Sequence, residues 1–150
     1  MTAARLLAGF FGCGRFPITP GSAGSLAAIL IGWPLLLLPG WVLAVAAALA
    51  TAGGLWAVAV LGASDDPGWV VIDEVAGQWI ALLGLARPSF TGLLAAFVLF
   101  RILDIAKPGP IAWADRQHGP VGVMADDLIA GGIAALMLWG ARWIWPGLLG

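Results

Sequence analysis

The sequence predicts an all-α protein, a multi-pass integral membrane bundle of about four to five short transmembrane helices with a polar site at one membrane face. Three observations carry this. The mean hydropathy is +1.00, far above that of a soluble globular chain. Hydrophobic residues make up 61% of the chain and charged residues 10%. All eight carboxylates fall in two short stretches, Asp65 to Glu74 and Asp104 to Asp127. In so apolar a chain, acids gathered in two places point to joint use.

The 150 residues fit one domain, taken as 1–150. Nine Trp occur with no Tyr, and Trp41, Trp69, Trp113, Trp143 and Trp145 flank apolar runs as rings at the headgroup level do. A net charge of -1 gives no basic field for nucleic acid. Cys13, the one cysteine, cannot form an internal disulfide and reads as a small apolar residue. Arg5 and the short run Leu6 to Phe11 lack the longer apolar region of a signal peptide.

Residues 1–24 form a glycine-rich lead-in. Helices are expected near 25–38 and 41–62, with the turn at Pro39-Gly40. Asp65-Asp66-Pro67-Gly68 reads as a loop. Helices follow over Val75 to Ala86 and Ser89 to Leu103, separated by Arg87-Pro88. Lys107-Pro108-Gly109-Pro110 cannot continue a helix. Gly119-Pro120 reads as another break, and Asp126-Asp127 as the opening of a last helix to about Trp145. Several of these fall short of the roughly 20 residues that cross the hydrocarbon. Turning back at Pro39-Gly40 and Arg87-Pro88 puts Arg5, Arg15, Arg101, Lys107 and Arg116 on one side with every carboxylate. The positive-inside rule makes that side cytoplasmic.

In the strongest segment, Arg101, Asp104 and Lys107 are spaced three apart and can share a helix face. That pattern suits a carboxylate on a metal and two cations on phosphate, or a salt-bridge ladder at the interface. Asp73-Glu74 and Asp126-Asp127 are adjacent acids at expected helix starts. Either one member of each pair ligates while the other caps or hydrogen-bonds, or, in the looser geometry of a helix start, both reach a cation. Packed carboxylates need a cation or protons, and Mg²⁺ suits carboxylates plus phosphate oxygens. Ser22 and Ser25, before the first long helix, could hold phosphate or cap the helix. Asp115 and Arg116 form a local pair, or Arg116 holds phosphate. Asp65 and Asp66 read as loop acids, and His118 as a surface residue.

Four runs in order, GFFGCGRFPITPGSAGSLAA, DPGWVVIDEVAGQWIALL, FRILDIAKPGPIAWADR and HGPVGVMADDLIAGG, resemble the bacterial phosphatidylglycerophosphatase A family over about residues 8–135. Ser22 stands where that family often has threonine. Pro120 stands where it often has a glycine. The resemblance implies a magnesium-dependent inner-membrane phosphatase with its site facing the cytoplasm. Its substrate would be a phospholipid in the bilayer, phosphatidylglycerophosphate. The acidic positions the resemblance implies are Asp73, Glu74, Asp104, Asp126 and Asp127; carboxylate chemistry makes all five metal ligands, with Asp73, Asp104 and Asp127 in the chemical step. The resemblance implies the cations Arg101 and Lys107, while Arg116, Ser22 and Ser25 are further phosphate contacts on the chemistry of the residues themselves. Attack by water and an aspartyl-phosphate intermediate both fit. The rival is a cation-coupled transporter or channel, which predicts acids in mid-helix.

Overall fold

The structure is a computed structural model that describes residues 2–63 and 66–149. The loop expectation for Asp65 lies outside the described residues. Seven α-helices and no strand occur among the described residues: α1 (Ala3–Ala8), α2 (Pro20–Leu35), α3 (Gly40–Leu61), α4 (Ile72–Leu82), α5 (Phe90–Ala106), α6 (Pro110–Asp115) and α7 (Gly119–Ile144). A 3-10 turn, Phe10–Arg15, joins α1 to α2.

Local chemistry sets these bounds. Ser89 caps α5 by accepting from the Gly92 amide at 3.0 Å, as a short hydroxyl does at a helix start. Gly62, in left-handed geometry with φ 65°, ends α3. Lys107 ends α5 in the same region. The turns at Pro39-Gly40 and Arg87-Pro88 stand where the sequence puts them.

Two helix starts differ from expectation. Residues Pro20 to Ser25 are the first turns of α2, not a loop before it. Gly119-Pro120 begins α7 rather than breaking the chain. In both cases proline occupies the first helical turn, where its missing N–H leaves no bond unmade. Asp126 and Asp127 therefore lie about two turns inside α7 instead of opening it. α4 also starts earlier than expected, so Asp73 and Glu74 belong to its first turn.

α4 is the central element and packs against α2, α3, α5 and α7. α2 runs parallel to it. Gly21 sits by Glu74 at one end and Gly32 by Leu82 at the other. The Trp79 indole N–H donates to the Ala28 carbonyl at 2.8 Å between them. α4 and α7 meet through glycine: a Cβ on Gly77 would lie 2.5 Å from the main-chain oxygen of Asp127. Small residues at such contacts let helix backbones approach, as in membrane bundles.

The outer surface is apolar. Leu49 is 68% exposed, Leu136 70% and Ile105 71%. Surface of this kind needs an apolar environment. α3 and α7 are long and apolar enough to cross a membrane. α2, α4 and α5 span 16, 11 and 17 residues, short of a full crossing without tilt or flanking residues.

Candidate functional site

The first turn of α2, the first turn of α4, the last turns of α5 and the upper part of α7 converge at one end of the bundle. α4 supplies Asp73 and Glu74. Asp73 is 3% exposed, and its carboxylate accepts from the Glu74 amide at 3.0 Å. α5 supplies Arg101 and Asp104, which form an ion pair. Arg101 also stands 3.9 Å from Glu74 Oε1. α7 supplies Asp126 and Asp127, 5% and 3% exposed. Consecutive helix positions diverge by about 100°. Accordingly, Asp126 meets Lys107 while Asp127 joins the acids of α4.

Two carboxylate groups result. Asp73, Glu74 and Asp127 bring ligand oxygens within 4.8 Å of one another, and so do Asp104, Asp126 and Asp127. Asp127 belongs to both. Five carboxylates stand against two cations, Arg101 and Lys107, an excess of three negative charges when all are ionised. Hard oxygen donors in this density fit a divalent cation such as Mg²⁺. Glu74 Oε2 adds to the fit: it is buried and accepts no hydrogen bond among the described residues.

The sequence places Arg101, Asp104 and Lys107 on one face, and the structure divides them. Arg101 and Asp104 pair, as their spacing allows. Lys107 leaves the helix in left-handed geometry, with φ 46°, and binds Asp115 and Asp126 instead. Partial burial alone would lower its pKa. Hydrogen bonds to Asp115 and Asp126 outweigh that and hold it well above the ordinary lysine value. Asp115 thus pairs with Lys107 rather than with Arg116, which is exposed where α6 ends. Ser22 is half-buried. Ser25 is fully buried and donates to the Gly21 carbonyl at 3.0 Å. It serves the helix rather than an open loop.

Two residues escaped the sequence reading. Asp66 lines a pocket with Asp115, His118 and Asp126, so it belongs to the rim of the site and not to a remote turn. The surrounding protein, and next the charge of Asp126, push its pKa up to about 6. Gln78 is fully buried, and neither amide atom has a partner among the described residues. Its signal was available: it lies one turn after Glu74 in an otherwise apolar helix.

The chain is similar to known proteins over most of its length. The sequence profile described as phosphatidylglycerophosphatase A matches residues 6–142. A phosphatidylglycerophosphatase A of Escherichia coli is 41% identical over 94% of this chain and 84% of its own length. A Bacteroides thetaiotaomicron protein, named as a candidate phosphatidylinositol-3-phosphatase, is 40% identical over 89% of this chain and 90% of its own. A phosphatidylglycerophosphatase A of Haemophilus influenzae is 35% identical over 92% and 88%. No solved structure matches. The runs that carry the resemblance include every acid of the two carboxylate groups. This chain belongs to the phosphatidylglycerophosphatase A family.

Proposed function

We propose that this protein is a Mg²⁺-dependent lipid phosphatase that removes the terminal phosphate of phosphatidylglycerophosphate, giving phosphatidylglycerol and inorganic phosphate. The observation that carries the reading is the pair of carboxylate groups sharing Asp127, set beside Arg101 and Lys107. Family membership names the lipid class.

Asp73, Glu74, Asp104, Asp126 and Asp127 would hold the cation. Bound there, Mg²⁺ supplies charge neutralisation on the phosphate and a lowered pKa for a coordinated water. The protein's own part is positioning and electrostatics, which dominate phosphoryl transfer. Arg101 uses one guanidinium nitrogen on Glu74 and Asp104. Its Nε is buried without a partner among the described residues and remains to donate to a phosphate oxygen. Lys107 binds two carboxylates, and an ammonium has three donors. Its third donor would serve a phosphate oxygen. Ser22, next in the chain to Gly21 beside Glu74 and Arg101, and Arg116, next to Asp115, are the further proposed phosphate contacts. The buried Asp73 and Asp127 and the half-buried Asp104 take part in the chemical step, as ligand oxygens or proton acceptors.

The positive-inside pattern supports a cytoplasmic face for this end of a multi-pass bundle in the bacterial inner membrane. Acids inside α7 remove one argument against an ion pathway. The relatives found carry phosphatase names, and none of the observations favours transport. The test is phosphate release by purified protein in mixed micelles with phosphatidylglycerophosphate, phosphatidic acid or phosphatidylinositol-3-phosphate. Fastest release from phosphatidylglycerophosphate is expected. Preference for the inositol lipid would reassign the substrate, and release from none would end the reading.

A further inference from the structure

A shallow apolar groove of about 550 Å³ runs down α7, lined by Ile129, Gly132, Leu136 and Trp139 with Leu83 and Gly84 from the end of α4. Its upper end adjoins the acid site. Ile129 and Leu103, the neighbour of Asp104, pack on the same small cluster around Phe100 and Ile111. Its lower end, Trp139, lies ten residues further along the helix, a rise of about 15 Å. That is about half of the roughly 30 Å hydrocarbon core, the depth of one leaflet. At mid-groove the floor is open, since a Cβ on Gly132 would meet nothing within 4 Å.

We propose that this groove seats an acyl chain of the lipid whose phosphate is held at the acid cluster. The proposal rests on the lipid-phosphatase reading and adds the surface that holds the tail. A chain joined to a head group at Asp104 and Asp127 must descend into the leaflet beside them, and this groove starts there and has the matching length. Inside a bilayer, water exclusion gives no preference between groove and lipid. The groove acts by packing, fixing where the tail lies and so where the phosphate sits. Such binding shows in KM before kcat.

The experiment uses a non-hydrolysable lipid phosphonate with a photoreactive group midway along one acyl chain, bound to the full chain in lipid nanodiscs. Label is expected on residues 129–139 of α7 and on Leu83-Gly84. Gly132→Phe and Gly132→Leu place a side chain in the groove from a position whose Cβ meets nothing within 4 Å, and each should reduce that label about fivefold or more. Ala48→Phe, on the exposed face of α3, should leave it unchanged. Label spread equally over the exposed faces of α3 and α7, or unaffected by both Gly132 variants, overturns the proposal. Cross-links between two copies of α7 would also overturn it, assigning the groove to self-association. In turnover, Gly132→Phe should raise KM for the diacyl substrate about tenfold and leave the deacylated, water-soluble phosphomonoester unaffected. Equal loss on both substrates would count against the groove. If the wild-type protein hydrolyses no lipid phosphate, the functional reading fails, while the labelling pattern still decides the groove.

Discussion

Gly77 on α4 lies directly against the main-chain oxygen of Asp127 on α7, where a Cβ would come within 2.5 Å. This contact sets the spacing between the two helices that carry Asp73, Glu74 and Asp127. Gly77→Ala should force α4 and α7 apart. Overpacking of this kind costs about 1–3 kcal/mol. The expected result is a lower midpoint of thermal unfolding in detergent, with weakened divalent-cation binding. An unchanged midpoint and unchanged affinity would show that the contact does not set the site.

Asp127 is the acid common to both carboxylate groups. Even indirect partners of a bound metal contribute about 10–100-fold in affinity or activity. Asp127→Asn should therefore cost more than about 100-fold in kcat/KM, and more than Asp73→Asn or Asp126→Asn alone. Manganese binding, followed by electron paramagnetic resonance, should show the same order. Equal losses in the three variants would refute a shared ligand.

Lys107 compensates Asp126, which is nearly buried. Removing one partner of such a pair leaves an uncompensated charge, at a cost of about 3–5 kcal/mol. Lys107 is 27% exposed and Asp115 45%, so solvent screens part of this and the low end or less is expected. Lys107→Met should lower stability, and restoring lost stability with Asp126→Asn should not restore turnover. Full turnover in the double variant would remove Lys107 and Asp126 from the site.

Asp66 has its pKa raised to about 6 by its surroundings and by Asp126. The unfolded chain releases this proton near 3.8. Between those values the native state binds more protons, so stability falls as pH rises through that window. Asp66→Asn should match the wild type near pH 4 and unfold at a higher temperature than it near pH 7. Parallel curves at both pH values would contradict the assignment.

Much of the site was legible because membrane chains place charge sparingly. The five acids of the two groups and the Arg101–Asp104 spacing stand in the sequence as written. The turns at Pro39-Gly40 and Arg87-Pro88 were equally plain. Reading failed where proline has two meanings. Pro20 and Pro120 begin helices, and taking Gly119-Pro120 as a break moved Asp126 and Asp127 to a helix start they do not occupy. The partners of Lys107 were out of reach for another reason. Its left-handed conformation turns the side chain off the helix face that a three-residue spacing implies. Asp66 looked like a loop acid because only the tertiary fold brings it to Asp126. Gln78 was passed over among more conspicuous charges.

The central claim is that one acid cluster holds a divalent cation and a lipid phosphomonoester together. Phosphate release from phosphatidylglycerophosphate by the purified protein, with Mg²⁺, with a chelator and with Mg²⁺ restored, tests it most directly. Release with Mg²⁺, its loss on chelation, its return on re-addition and its absence in Asp127→Asn throughout are the predicted results. Release that persists in chelator, or that survives in Asp127→Asn, would contradict the account.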